Sequence, residues 1–405
     1  MSALHISPKS AVTGIVKNLP ASKSVSNRVL VLDALSGFHS QISNLSEARD
    51  TVLMNALVRS DEKEINVMDA GTTMRFLTAF YAISGTNRIM TGTDRMKERP
   101  IYPLVDALRT IGADIRYLER EGYPPVEILG FSGQKSNEVS VPGNLSSQYI
   151  SALMMIGPAL PKGIKIRLTG HVGSRPYIRI TEEMIRMFGG QISFLNDVIE
   201  IMPGGLKPVK YSIEPDWSAA SYWFSFCALA EHSELTLPGN FESSFQGDQV
   251  ICDVARLLGV SSGRSAQQLV LKKTGSEKFI EWDFNDCPDL AQTILPLCAL
   301  KGIGGRFTGL ESLRIKETDR ILALQQELSQ TGTVLSETAS GTWQLSPANR
   351  IPESVFIRTY HDHRMAMGFA PWATKVNVTI EDRNVVNKSY PGFWKDMAGL
   401  GFDLE

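Results

Sequence analysis

The sequence predicts an α/β protein built as two pseudo-symmetric domains, and three observations carry that reading. At 405 residues the chain exceeds what one hydrophobic core serves, which makes two domains the expectation. One local pattern recurs, an amphipathic helix closed by a glycine and followed by a short strand. It appears as VDALRTIGADIRYL, EEMIRMFGGQISFL, CDVARLLGVSS, LQQELSQTGTVLSE and KDMAGLGFDLE, with Gly112, Gly189, Gly259, Gly332 and Gly401 as the closing glycines. Successive glycines lie 69 to 77 residues apart, and each suits the left-handed position that ends a helix. A sixth copy, DTVLMNALVRSDEKEINVMD (50–69), is shorter and lacks the glycine. Solenoid repeats usually run roughly 20–47 residues, so five or six units of this length fit two domains of about three units each.

Composition narrows the function. Hydrophobic residues at 43%, charged residues at 21% and a formal charge of −2 describe an ordinary soluble chain. They argue against a nucleic-acid binder driven by a global basic field. Any anion site must be assembled locally. The four cysteines (Cys227, Cys252, Cys287, Cys298) form no CxxC pair and read as reduced, mostly buried thiols of a cytosol. The start, MSALHISPKSAVTG, has no apolar core of a signal peptide. No run reaches the roughly 18 apolar residues of a membrane span; 149–160 comes nearest and reads as a core helix.

Taken in order, the first chemical stretch is residues 19–28, LPASKSVSNR. It sits between a strand-like run and the helical run 29–35. Pro20 fixes the chain, the serines offer N-caps, and Lys23 and Arg28 add full charges to the positive end of a helix. It reads as an anion seat or as a capped helix with solvated cations. DAGTTMR (69–75) has the same design, with Gly71 permitting close approach and Arg75 one turn into the helix. TGTDRMKERPI (91–101) holds Arg95, Lys97 and Arg99, as a solvated charge run would. Residues 145–148, LSSQ, and GSRPYIRIT (173–181) again place hydroxyls and cations at helix starts. A strand-like KYSIE ends at Glu214-Pro215-Asp216-Trp217, where a crossing between domains is expected.

The second half holds the acid–base candidates. DCPDLAQTILPL (286–297) sets Asp289 at the mouth of an apolar helix, where N-capping is the plain alternative. SLRIKETDRI (312–321) alternates charge sign across an expected junction between a strand, LESLRI, and a helix, ETDRILALQQEL. Such junctions are where α/β proteins place sites. HDHRMAMGFA (361–370) puts His361 and His363 on one face if extended, but no further ligands stand at metal spacing. Arg364 enters an apolar helix, and Lys388 precedes the last one. Lys23, Arg28, Arg75, Arg99, Arg320, Arg364 and Lys388 are thus seven cations at loop or helix-start positions in a chain of charge −2. Converging, they would hold several anionic groups at once, with Asp289 and Glu317 as bases in a cationic field.

The ordered set LPASKSVSNR, DAGTTMR, RMKERP, SSQ, SRPY, QGD (246–248), RIKETDR, HDHRMAM and NKSYP resembles the 5-enolpyruvylshikimate-3-phosphate synthases from residue 19 to 393. The resemblance implies the enolpyruvyl transferase fold, an inside-out α/β barrel in which each domain has about three βαβαββ units around buried helices. One domain would hold 1–20 plus 217–405 and the inserted one 21–216, with crossings near Lys23 and Asp216 and the active site in the cleft between domains. It further implies transfer of the enolpyruvyl group of phosphoenolpyruvate to shikimate 3-phosphate, with loss of phosphate through a tetrahedral intermediate. The enzyme would be a cytoplasmic monomer and glyphosate target, with no cofactor, metal, nucleic-acid or membrane partner.

By motif, Asp289, Glu317 and Lys23 would be catalytic. Shikimate 3-phosphate would meet Lys23, Ser24, Arg28, Ser146, Ser147, Gln148, Ser174, Tyr177, Asp289, Ser312 and Lys316. Phosphoenolpyruvate would meet Lys23, Gly71, Arg99, Gln148, Arg320, Arg364 and Lys388. The substrates carry about six negative charges, and like charges at ~4 Å repel by ~1 kcal/mol in water and ~4 kcal/mol at a dielectric of ~20. Pre-placed cations offset this and hold the reactants in attack geometry. The chain departs from the family pattern at Asp69, Ser312 and His361, each in place of a common asparagine, and at Phe76 in place of proline. The short stretch between Ala56 and Asp69 implies a trimmed hairpin. Two rivals remain. One is the sister transferase acting on UDP-N-acetylglucosamine, whose Lys-Asn and loop cysteine are absent here. The other is a non-catalytic anion-binding repeat protein, which would not need Asp289 and Glu317.

Overall fold

The computed structural model describes residues 2–143, 146–170, 172–347 and 350–405; Leu145 of the LSSQ motif lies outside them. In chain order, β1 (Leu4–Ile6) and β2 (Ala11–Ile15) precede α1 (Lys23–Leu35), β3 (Gln41–Ser43) and α2 (Arg49–Leu57). The next repeat is β4 (Glu64–Asn66), α3 (Gly71–Ile83), β5 (Arg88–Thr91), the short α4 (Asp94–Lys97), α5 (Tyr102–Ile111), β6 (Ala113–Tyr117) and β7 (Val126–Phe131). Then come β8 (Glu138–Pro142), α6 (Ser147–Ile156), β9 (Ile164–Thr169), α7 (Arg175–Met187), β10 (Ile192–Leu195) and β11 (Val198–Ile201). After β12 (Lys210–Ser212), the chain forms α8 (Trp217–Leu229), β13 (His232–Pro238), α9 (Ile251–Leu257), β14 (Val260–Arg264) and β15 (Gln268–Lys273). The fifth repeat is β16 (Phe279–Asp283), α10 (Ala291–Lys301), β17 (Gly304–Thr308), α11 (Arg320–Leu328), β18 (Val334–Ala339) and β19 (Thr342–Ser346). β20 (Ser354–Ile357), α12 (His363–Phe369), β21 (Asn377–Ile380) and α13 (Phe393–Gly399) complete the chain.

Four sheets share one topology. Their orders are β4-β5-β7-β6, β8-β9-β11-β10, β2-β13-β15-β14 and β16-β17-β19-β18. In each, the first two strands are parallel and the rest antiparallel. This is βαβαββ. A fifth copy is closed by the chain's other end. β20 runs parallel to β21, β1 pairs antiparallel with β21, and Ile6 bridges Leu404 beyond α13. The sixth has only the parallel pair β12 and β3. Its hairpin is missing because α2 ends at Leu57 and β4 begins at Glu64. The five repeat glycines all take positive φ, from 77° at Gly332 to 128° at Gly112, so each reverses the chain as the sequence predicts.

The chain divides into two compact units. The first comprises Met1–Ser22, Glu47–Arg49 and Glu214–Glu405, and the second Lys23–Ser46 and Asp50–Ile213. The divisions stand two and three residues from the expected domain bounds, after residues 20 and 216, for a local reason. Ala21 bridges Pro215 antiparallel, Ser22 N–H donates to the Glu214 carbonyl, and Asp216 N–H to that of Pro20. Both crossing segments therefore belong to the first unit.

Each unit has three buried helices. α8 (WSAASYWFSFCAL) is buried all round except at Ser218, as an apolar helix without a polar face must be. It packs with α10 and α12. In the second unit α3 packs with α6, and α1 with both. Outer helices are amphipathic: in α7, Ile178, Thr181 and Ile185 point inward while Arg179 and Arg186 are exposed. Among the described residues no helix is long and apolar enough to cross a membrane.

One expected element differs. LESLRI is not a strand but a 3-10 turn, Glu311–Ile315. The strand is β17, which ends before Gly309 at φ 75°. Leu310 and Leu313, both fully buried, have the i,i+3 spacing that one side of a helical turn presents.

Candidate active site

In the second unit the helix starts are polar but largely uncharged. Lys23 opens α1 with its Nζ 3.3 Å from the Asp50 carboxylate. Arg28, one turn on, is buried and committed to protein. Its Nε donates to the Thr181 hydroxyl (2.7 Å), one terminal nitrogen to the Ser24 carbonyl (2.8 Å), and the other to the Ser151 hydroxyl (3.0 Å) and the Tyr177 carbonyl (3.2 Å). Four of its five N–H groups are thus engaged. Burial pushes the guanidinium down to about 10. Arg28 ties α1 to α6 and α7.

α3 begins without a side-chain cap, because the preceding residue is Ala70. A Cβ on Gly71 would lie 2.7 Å from the Arg99 guanidinium, so only glycine lets Arg99 rest across this helix start. Arg75, one of the seven cations expected to converge, is instead a clamp. It donates to the Pro100 carbonyl (2.8 Å), which also accepts the Tyr149 hydroxyl (2.6 Å). Both bonds fix the loop immediately after Arg99. In the same loop Arg95 and Lys97 pair outward with Glu98 and Glu119. Ser146 caps α6 by accepting from the Gln148 N–H (3.3 Å), and the Gln148 amide donates to the Thr72 hydroxyl (3.3 Å). That bond joins the starts of α3 and α6. Ser147 is buried; Ser24 and Tyr177 are half-buried. Ser174 precedes α7 in a left-handed conformation (φ 54°, ψ 37°) and makes no cap bond.

The first unit concentrates full charges. Arg320, at the first position of α11, is 2% exposed and meets three carboxylates. These are Asp362 at 2.7 Å, Asp289 at 2.9 Å and Glu317 at 2.9 Å. Arg364 holds the other Asp289 oxygen at 3.0 Å and reaches the Tyr222 hydroxyl at 3.3 Å. Lys316 lies 3.8 Å from Asp289 and Lys388 3.9 Å from Glu317. Asp289 does not cap α10; it sits in a 3-10 turn ahead of it and spends its charge on the arginines. Ser312 lies in the neighbouring turn, half-buried.

Burial raises the Asp289 carboxyl, but Arg364, Lys316 and Arg320 outweigh it and hold the group well below the usual carboxylate range. Burial lowers the Lys316 ammonium, and Asp289 only partly restores it. Asp248 goes the other way. Burial, with Asp289 nearby, pushes it up to about 7. Two carboxyl groups within electrostatic reach are thus driven apart, a pattern of acid–base sites.

Asp248 stands in the QGD motif without an assigned role, and Asp362 was equally passed over between two histidines. The signal for Asp362 was its place before an apolar helix: it caps α12 by accepting from the Arg364 N–H (2.9 Å). The paired histidines share no face, because residues 361–363 turn into α12, leaving His361 exposed and His363 buried. His361 has φ 56°, a conformation that asparagine accepts more readily than most residues. Among the described residues no three His, Cys, Asp or Glu side chains group to hold a metal.

Comparison with known proteins identifies the family. The family model for EPSP synthase (3-phosphoshikimate 1-carboxyvinyltransferase) matches residues 6–65 and 59–397. The chain is 43% identical to the 3-phosphoshikimate 1-carboxyvinyltransferase of Bacteroides fragilis over 394 residues, 96% of this chain and 95% of that one. It is 34% identical to the Idiomarina loihiensis enzyme of the same name, over 99% of both chains. In fold it resembles the EPSP synthase of Acinetobacter baumannii, with a TM-score of 0.77 at 20% identity and full coverage of both chains. It also resembles the enolpyruvyl transferase NikO of Streptomyces tendae, with a TM-score of 0.73 at 14% identity, covering 100% of this chain and 98% of that one. With its motifs in register, its repeats in the same topology and its relatives matched along nearly their whole length, the chain belongs to the EPSP synthase family.

Proposed function

We propose that the protein transfers the enolpyruvyl group of phosphoenolpyruvate to the 5-hydroxyl of shikimate 3-phosphate, working as a cytoplasmic monomer. The observation that carries this reading is the Arg320–Asp289–Arg364 network with Glu317, Lys316 and Lys388 at its edge. It combines cations for a phosphate and a carboxylate with carboxylates able to move protons. In the addition step, Asp289 takes the proton of the attacking hydroxyl, whose oxygen bonds to C2 of phosphoenolpyruvate. Glu317 gives a proton to C3, producing a methyl group on a tetrahedral carbon. In the elimination step Glu317 takes a proton back from that methyl, the double bond reforms, the C2–O bond to phosphate breaks, and the proton that Asp289 took from the hydroxyl leaves with the phosphate. Lys23 is a further candidate for proton transfer near the bridging oxygen.

The depressed Asp289 carboxyl is a weak base while Arg364, Lys316 and Arg320 face it alone. Anionic substrates occupying those cations remove part of that stabilisation and raise its basicity. Arg99, lying across the uncapped start of α3, is the second unit's seat for phosphoenolpyruvate. Ser24, Ser146, Ser147, Gln148, Ser174 and Tyr177 supply hydroxyls and an amide for shikimate 3-phosphate, and Arg28 holds the segment from beneath. The test is phosphate release from both substrates by the wild type, Asp289→Asn and Glu317→Gln. Removal of a proton-transfer group costs ~10²–10⁴-fold in kcat. No release by the wild type defeats the reaction, and wild-type rates in both variants defeat the assigned roles.

A further inference from the structure

We propose that Glu327 and Tyr360 are positioning residues for the phosphoenolpyruvate-binding arginines, because they hold the turn that sets Asp362, and through it Arg320 and Arg364. The inference rests on the reading that Arg320 and Arg364 bind phosphoenolpyruvate.

Residues 359–362 form a tight turn in which the Asp362 N–H donates to the Thr359 carbonyl at 2.8 Å. Its central residues are Tyr360, with φ 52°, and His361, with φ 56°. Two consecutive positive φ values with that bond are the mark of a type I′ turn, which favours Asn-Gly. A residue with a Cβ pays roughly 1–2 kcal/mol for a left-handed backbone. Such a turn persists only where its surroundings over-determine it.

Here the surroundings are specific. The Tyr360 hydroxyl lies 2.6 Å from Glu327 Oε1 and 2.7 Å from the Gln326 side-chain oxygen. Glu327 is 3% exposed. Its other oxygen accepts from the Gln330 amide (2.7 Å) and from the Arg358 N–H (3.3 Å). Gln330 in turn donates to the Phe356 carbonyl and accepts its N–H. On the far side the Glu381 carboxylate accepts the Thr359 N–H at 2.9 Å.

Glu327 lies seven residues after Arg320 on α11, hence on the same helix face. α11 therefore grips the 358–364 segment twice. At one end Arg320 pairs with Asp362; two turns on, Glu327 holds Tyr360 and the Arg358 backbone. The second grip holds the chain two residues before Asp362. Its effect is to fix where the strained turn delivers Asp362, and with it the start of α12 that carries Arg364.

The test is Tyr360→Phe, which keeps the ring and removes the hydroxyl, assayed by steady-state kinetics in both substrates. The KM for phosphoenolpyruvate should rise ~10-fold, with kcat and the KM for shikimate 3-phosphate within ~2-fold, as expected when uniform binding of one substrate is loosened. Adding His361→Gly relieves the strain, since glycine takes positive φ freely, and should restore most of the lost affinity. An unchanged KM in Tyr360→Phe, or a raised KM that His361→Gly does not restore, overturns the proposal. Arg364→Lys is measured alongside. If it leaves the KM for phosphoenolpyruvate unchanged, the site reading itself fails, and this inference with it. If Tyr360→Phe does not fold, Glu327→Gln carries the same expectation at ~3-fold, and no change there overturns the proposal.

Discussion

The two units share one topology and differ where their buried helices begin. In the second, α3 and α6 start with Gly71, Thr72, Ser146, Ser147 and Gln148, groups that offer N–H and hydroxyl dipoles, with Arg99 across the start of α3 and Lys23 opening α1. In the first, Asp216 and Asp362 cap α8 and α12, Asp289 precedes α10, and Asp289 and Asp362 pair with the arginines. The same scaffold thus opens its helices with dipoles in one copy and with mutually balanced charges in the other. In the first unit acids and arginines share one buried network, whereas in the second Arg28 and Arg75 are held by hydroxyls and carbonyls.

The largest test of that contrast is Arg320→Ala. It leaves Asp362, Asp289 and Glu317 without their shared partner, and loss of one member of a buried ionic network costs ~3–5 kcal/mol. Urea denaturation should show that loss together with loss of turnover; an unchanged midpoint would break the comparison. Lys23→Ala is its counterpart. Turnover should fall at least ~10²-fold, while stability drops by only about 1–3 kcal/mol for the Asp50 carboxylate it leaves. A cooperative melt with near-wild-type activity would remove Lys23 from the site.

Smaller in effect, Gly71→Ala puts a methyl against the Arg99 guanidinium at a backbone position alanine tolerates. The KM for phosphoenolpyruvate should rise ~10-fold, equivalent to ~1.4 kcal/mol, with the melt unchanged. Wild-type kinetics would mean that Arg99 is not seated there.

The smallest effect concerns the opposite helix ends of the first unit. Lys273 donates to the Ala230 carbonyl at the end of α8, and Lys301 to that of Leu258 at the end of α9. Burial, then Lys273 and Lys375, push Lys301 down from 10.5 to about 8. Between these pH values the unfolded chain holds the proton and the folded chain does not, so the contribution of Lys301 to stability rises with pH across that window. Below pH 8 the folded state carries the unfavourable charge. Relative to Lys301→Met, the wild type should gain stability from pH 8 to pH 10.5. A flat difference in denaturation midpoints would contradict this.

Much of this was legible in one dimension because local physics is enough for it. Helix ends need glycine at positive φ, so Gly112, Gly189, Gly259, Gly332 and Gly401 marked the repeats, and buried helices such as 217–229 must be apolar throughout. The short stretch after α2 announced the missing hairpin of the sixth copy. What the sequence hid was partner choice. Arg28 and Arg75 looked like Arg99 and Arg364, yet tertiary contacts turned the first two into clamps. LESLRI had strand-like composition, but burial of Leu310 and Leu313 on one side made it a turn.

By itself the sequence determined the α/β repeats, their number and the family, since these depend on periodicity and on residues that few others can replace. The tertiary structure alone decided which charges face one another: that Arg320 serves three carboxylates, that Asp289 falls while Asp248 rises, and that Tyr360 and His361 take a left-handed turn. Charge interactions and burial depend on distance in space, and Asp289 comes within reach of both Arg320 and Arg364 only once two repeats have packed together.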